Sequence, residues 1–301
     1  MKNCTLVEIT TKDGLIHQGM YVAPDSPSAL GGRKSKTAIL YVHGLTSAFY
    51  HELPLQDAII RECSSKGYGY ASFNNRGHDF VAGGYIADKH VPKGKKHTTM
   101  GAGVEEFSKS IFDIDAGITF LEHKGYTSVI LVGHSTGANK VCYYGGTVKD
   151  NRVKGIVLAS PMSDRLDPVC RNNFFKRLFL KIYIAFGYGD RLYTNLTFFP
   201  ITPRRVLSLL ELHSDEDVFD YGEKSPHMYV YANIKKPMLV IFGEDDEHAD
   251  RSIQCIQHVF DTKKTTPVYK SIVISKATHG FDGKEDECGK VLVDWIQTSV
   301  I

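Results

Sequence analysis

The chain of 301 residues has little that would mark it for a charged partner, an oxidising compartment or a bilayer. Its 36 Lys and Arg against 34 Asp and Glu leave a net charge of +2, so no strong field recruits nucleic acid or an anionic surface. Six cysteines, at 4, 63, 142, 170, 255 and 288, stand singly and never in C-x-x-C spacing. That argues against a structural zinc site and a disulfide framework, and it fits a reducing cytoplasm. The opening "MKNCTLVEITTKDG" lacks the continuous apolar stretch of a secretory signal, and no apolar run approaches the length of a bilayer crossing. The expected setting is therefore cytoplasmic, without stable membrane insertion. Repeats and low-complexity segments are missing too.

What is present is ordinary for a folded enzyme-sized chain: 42% hydrophobic and 23% charged residues. The length suits one large domain, or a domain carrying a sizeable insertion. "TLVEIT", the turn "TKDG" and "LIHQGMYV" predict an opening β-hairpin over 5–22. Short apolar segments then recur: "TAILYVHG", "GYGYASF", "SVILVG", "VKGIVLAS", "KPMLVIFG" and "YKSIVIS". Each reads as a buried parallel strand. Between them, Val104, Phe107, Ile111, Ile114, Ile118 and Leu121 predict a helix over 104–121, with Glu105 and Glu106 in its first turn. "TGANKVCYYGG" follows its strand directly as a second helix. "ECGKVLVDWIQTSV" closes the chain as a helix with Val291, Leu292, Trp295 and Ile296 inward. Alternation of this kind implies right-handed crossovers and an α/β architecture: a mostly parallel sheet covered on both faces, with an antiparallel hairpin at its edge.

Residues 161–236 break the alternation. Phe174, Phe175, Leu178, Phe179, Ile182 and Phe186 fall at helical spacing, interrupted by Lys176, Arg177 and Lys181. "TPRRVLSLLEL" begins another helix, with Thr202 as N-cap and Pro203 at the first helical position. The expected layout is a core of 1–160 and 237–301 interrupted by a helical insertion of 161–236. Its aromatic face is expected to pack within the insertion or to line an acyl- or aryl-binding wall, with membrane adhesion through this basic, aromatic helix as the last alternative.

"LVGHSTGANK" carries the chemistry. Ser135 stands between Gly133 and Gly137 where a strand gives way to a helix. There the tight turn lifts the hydroxyl above the carboxyl edge of the sheet. A serine hydroxyl needs a base, and His279 in "SKATHGFDG" lies just past the last predicted strand. The histidine needs a carboxylate to fix its tautomer, and "VIFGEDDEHAD" offers Asp245 and Asp246. Backbone N–H groups of Leu45, after the first core strand, and Thr136, at the helix start, can hold an oxyanion. His248 is a rival base that sits beside the proposed acid. His43 reads as structural, and Arg76 and His78 read as loop scaffold.

The ordered set "YVHGLTS", "NNRGHD", "VGHSTG", "FGEDDEHAD" and "ATHGF" resembles the α/β-hydrolase fold superfamily from about residue 37 onward. "FNNRGHD" and "GHSTGANK" are similar to its siderophore-esterase-like branch. The resemblance implies an acid three residues after Gly243, which selects Asp246 over Asp245. It also implies that His43 braces the oxyanion loop and that 161–236 forms a cap over the site. The expected activity is that of a serine hydrolase cleaving a carboxylic ester, thioester or amide through an acyl-enzyme on Ser135, with Asp246 and His279 completing the triad. No cofactor or metal is implied, and the partner is a small acyl substrate. An acyltransferase using the same triad, or a non-catalytic binding protein on the same fold, are the alternatives.

Overall fold

The computed structural model describes residues 4–25, 35–163 and 174–301. Cys170 and the rest of 164–173, near the start of the expected insertion, lie outside them. The chain opens with β1 (Cys4–Thr10) and β2 (Leu15–Val22), the hairpin expected from its pattern. The core strands are β3 (Thr37–Val42), β4 (Gly69–Phe73), β7 (Ser128–His134), β8 (Val153–Ala159), β9 (Met238–Gly243) and β10 (Tyr269–Ile274). They pair in parallel in the spatial order β10-β9-β8-β7-β3-β4. β2 joins β4 antiparallel and continues the ten-stranded sheet outward.

The sheet is buried on both sides: β3 and β9 are buried at every position and β7 at all but Ser128, and their apolar residues run on instead of alternating. Along β3, Ala38, Leu40 and Val42 pack on one face with α2 (Ser110–His123), α3 (Thr136–Thr147) and α7 (Ile253–Lys263). Ile39 and Tyr41 pack on the other with α1 (Leu53–Ser65) and α8 (Glu285–Ser299). Leu292, Trp295 and Ile296 are buried there, with Val291 packed beside them.

Three expectations need correction. β5 (Ala82–Ala87) and β6 (Lys95–Met100) form a second antiparallel hairpin that pairs with β2, so the opening hairpin does not end the sheet. The helix expected over 104–121 begins as α2 only at Ser110, after a single 3₁₀ turn over Phe107–Lys109. Glu105 is not in a helical first turn at all. Its carboxylate is buried and lies 2.5 Å from Lys140 Nζ. Third, the apolar stripe of α4 (Phe174–Tyr183) does not pack inward: its phenylalanines are exposed, and Leu180 is the residue it buries. Periodicity reports that a helix has an apolar side but not which way that side faces.

Between β8 and β9 the described elements are helices joined by turns and loops, with one isolated bridge, Tyr193 to Ile201. α4 runs into a π-turn over Ile184–Tyr188 and is followed by α5 (Pro203–Leu210). Thr202 caps α5 by accepting from the Arg205 N–H, as its sequence predicts. α6 (Tyr229–Ala232) is short. Phe219, Tyr221, Met228, Tyr231 and Ile234 join the cluster on the α3 and α7 face, so this later part of 161–236 packs as core.

Candidate active site

Ser135 occupies the turn between β7 and α3 at φ 56° and ψ −129°, a strained backbone for a residue with a side chain. The surrounding glycines explain how the turn fits. A Cβ on Gly137 would lie 2.1 Å from the Val42 carbonyl oxygen, and one on Gly133 would lie 2.3 Å from that of Gly137. Strand, turn and helix are therefore pressed together, and the hydroxyl is left half-exposed at the sheet's carboxyl edge. It opens into a cavity of about 490 Å³ that His279, Leu45 and Thr136 also line.

The loop after β10 brings His279 to that cavity. Its Nδ1 lies 2.8 Å from Asp246 Oδ2, while Asp246 Oδ1 accepts the His248 N–H at 2.9 Å. Burial disfavours a charge on Asp246, yet the His279 contact and the His248 N–H hold its carboxyl below the usual range. Asp245 is exposed, and its backbone N–H bonds the Ala277 carbonyl. The His248 ring lies edge-on to His279, with centroids 4.7 Å apart, so it flanks that ring. No hydrogen bond joins the Ser135 hydroxyl to His279, although both face the same cavity. Unliganded sites often leave that contact loose.

The loop after β3 passes against the serine: a Cβ on Gly44 would be 3.0 Å from Ser135 Cβ. Among the described residues neither the Leu45 nor the Thr136 N–H has an acceptor. His43 is fully buried, and burial together with the Lys140 charge lowers its pKa to about 3, so it is neutral. Its Nδ1–H donates to the Gly44 carbonyl and its Nε2 accepts the Asn75 N–H, which fits one tautomer. Arg76 is held by Asp113 at 2.8 Å and Asp13 at 3.1 Å, and His78 by Asp79 at 2.7 Å. Those two side chains fasten loops and do not reach the cavity lining.

Sequence reasoning missed two sets of residues. Glu52 and His134 both line the cavity. His134 Nδ1 lies 3.1 Å from Glu52 Oε2, an ion pair whose angle falls short of a hydrogen bond, and the Tyr41 hydroxyl donates to the same carboxylate at 2.6 Å. The signal was available only in part, since His134 directly precedes Ser135, whereas Glu52, five residues past "YVHGLTS", carries no local pattern that points to His134. The second set is a buried charge cluster. Lys140 of α3 contacts Glu105 and donates to Asn75 Oδ1 at 2.8 Å. Arg205 of α5 lines the cavity, contacts Glu216 and reaches Glu105 at 3.6 Å. Among the described residues no group of three His, Cys, Asp or Glu side chains could hold a metal ion.

Residues 96–300 match a family model described as a protein of unknown function, DUF1749. The chain belongs to that family. Solved structures resemble this DUF1749 chain along its whole length. A Pyrococcus furiosus esterase is 18% identical, with 99% of this chain and 92% of its own covered and a TM-score of 0.59. Est1E from Butyrivibrio proteoclasticus, solved with ferulic acid, is 13% identical over 98% and 99%, with a TM-score of 0.66. A soluble variant of Saccharomyces cerevisiae monoglyceride lipase, in complex with a substrate analogue, is 14% identical over 97% and 95%, with a TM-score of 0.63. At such identities the likeness establishes the fold, which is the α/β-hydrolase fold. None of the three is named a siderophore esterase, so the likeness carries the fold and not that branch. No curated protein matches the DUF1749 chain in sequence.

Proposed function

We propose that the protein is a serine hydrolase acting on carboxylic esters, with Ser135 as nucleophile, His279 as base and Asp246 as its orienting acid. The observation that carries this reading is the His279–Asp246 pair at 2.8 Å in the same cavity as a serine strained to φ 56°. Asp246 keeps the His279 proton on Nδ1 and leaves Nε2 free to accept. As Ser135 Oγ attacks the ester carbon, Nε2 takes its proton and the carbonyl oxygen becomes an oxyanion. The Leu45 and Thr136 N–H groups hold that oxyanion, and each such donor is worth about 3 kcal/mol of barrier. Collapse expels the alcohol with the proton from His279. Water then attacks the acyl-enzyme while His279 accepts its proton, which releases the acid and restores Ser135. No cofactor enters these steps.

Residues 1–160 and 237–301 form the catalytic core in this reading. The α4–α5 region is the cap, whose Phe198, Phe199, Ile201 and Leu209 line the cavity. That lining suits an acyl chain or aryl acid, and neighbours named as esterases and a monoglyceride lipase favour ester chemistry. The test is Ser135→Ala against p-nitrophenyl esters and a fluorophosphonate probe. The variant should lose at least about 10⁴-fold in kcat, and the probe should label the wild type at Ser135 alone. Turnover retained in the variant would end the proposal.

A further inference from the structure

Lys140 carries its charge into the interior directly behind the nucleophile. It lies on α3, one turn past Thr136, and is 1% exposed. Its ammonium meets the Glu105 carboxylate at 2.5 Å and donates to Asn75 Oδ1 at 2.8 Å. The Gly77 N–H donates to the same Asn75 oxygen at 3.0 Å. With Oδ1 occupied in this way, the Asn75 amide turns its Nδ2–H toward the His43 carbonyl, 3.3 Å away. The Asn75 backbone N–H meets His43 Nε2 at 3.2 Å, and the His43 Nδ1–H meets the Gly44 carbonyl at 2.9 Å. That carbonyl also accepts the Ser47 N–H at 3.3 Å.

The contacts end on the two peptide planes that flank Gly44. A trans peptide is planar, so its carbonyl and its N–H point in opposite directions. Holding the Gly44 carbonyl against the His43 ring therefore fixes where the Leu45 N–H points. Holding the His43 carbonyl on Asn75 does the same for the Gly44 N–H. A side chain at 44 would crowd Ser135, so these planes have to be held from outside the loop. A Gly44–Leu45 plane turned over would present a carbonyl oxygen where a donor is needed.

We propose that Lys140 is a positioning residue for the oxyanion donors: through Asn75 and His43 it aims the Leu45 N–H at the place where α3 presents the Thr136 N–H. This role rests on the hydrolase reading. Burial and the Lys140 charge also keep the His43 ring neutral, which lets Nδ1 donate while Nε2 accepts. A buried ion pair adds little stability over apolar residues of the same volume, so packing alone does not account for a cation at this depth.

The experiment compares wild type, Lys140→Met and Lys140→Met/Glu105→Leu at a temperature where each is folded by circular dichroism. The readouts are turnover of a soluble p-nitrophenyl ester and inhibition by a trifluoromethyl ketone. Ser135 Oγ adds to the ketone carbon, its proton passes to His279, and the ketone oxygen becomes an oxyanion in the hole. Both variants should lose at least about tenfold in kcat with KM within about twofold, and the inhibition constant should rise by the factor that kcat falls. The double variant is the more stable of the two, yet it should be no more active, because the bond to Asn75 is still missing. If Lys140→Met does not fold, the double variant decides alone. Activity that returns with stability in the double variant overturns the positioning role, and so does a lowered kcat with unchanged ketone affinity. An active wild type whose variants match it overturns that role alone. A wild type that neither hydrolyses the ester nor binds the ketone overturns the hydrolase reading, and the positioning role with it.

Discussion

The His134 ring donates from Nε2 to the carbonyl oxygen of His279 at 2.9 Å. Ser160 Oγ donates to the same oxygen, also at 2.9 Å, and Glu247 accepts the His279 N–H. The backbone of His279 is thus gripped from both sides while its ring meets Asp246. His134 is fixed in turn by Glu52, which Tyr41 of β3 also holds. An ion pair between the end of β7 and the start of α1 therefore sets where the loop after β10 can lie.

Glu52→Gln should lower kcat about 10- to 100-fold with little change in KM, because a base displaced by a fraction of an ångström loses rate more than affinity. Its effect on stability depends on pH in a defined direction. Burial opposes ionisation of Glu52, but the His134 charge and the Tyr41 hydroxyl hold its pKa at about 2, below the usual 4.5. Its contribution is complete above 4.5 and is lost as pH falls toward 2. Burial likewise opposes a charge on His134, but Glu52 and the His279 carbonyl raise its pKa above 6.5, so that contribution is complete below 6.5 and fades as pH climbs through the raised value. Urea denaturation should find wild type and Glu52→Gln furthest apart between pH 4.5 and 6.5. A gap that keeps widening above pH 6.5 would contradict the pairing.

Asp246 and Asp245 are adjacent in sequence but differ in what they touch. Asp246→Asn should reduce kcat by about 10³- to 10⁴-fold by favouring the wrong tautomer of His279. Asp245→Asn should stay within about twofold, as its exposed side chain is remote from the ring. Steady-state kinetics on one soluble ester separates the two, and equal losses would refute the assignment.

Gly137→Ala places a methyl group 2.1 Å from the Val42 carbonyl oxygen. Backbone cannot yield as a flexible side chain does, so the substitution should destabilise by about 3 kcal/mol or prevent folding. A chemical melt that matches wild type would show that strand and helix are less tightly pressed than described.

Lys140→Met removes the cation 2.5 Å from buried Glu105, leaves the more distant Arg205 to offset that carboxylate, and should cost about 3 kcal/mol in a water-poor interior. Adding Glu105→Leu should recover part of that loss, since both ends of the pair are then gone. A double variant less stable than the sum of the singles would argue against the pairing.

The sequence was most legible where residues answer to one constraint. β3, β7 and β9 are buried on both faces, so their apolar runs stand out, and Ser135, Asp246 and His279 each follow such a run or the one just beyond. β5 and β6 escaped notice because "AGGYIA" and "KKHTTM" are partly exposed strands at one end of the sheet without an apolar run. Glu105 was misread because an acidic residue before an amphipathic stripe ordinarily marks a helix start, and here its partner is 35 positions away in the chain at Lys140. Glu52 was invisible for the same reason: long-range ion pairs leave no local pattern.

Arg205 bears on how a substrate gets in. A roof that swung away on α5 would have to drag a guanidinium from Glu216 and Glu105 out of an interior with little water to receive it. That side of the chamber is bolted shut. Phe198 lines the cavity yet is 75% exposed, so in the hydrolase reading a substrate entering past it would leave the charged fastening untouched.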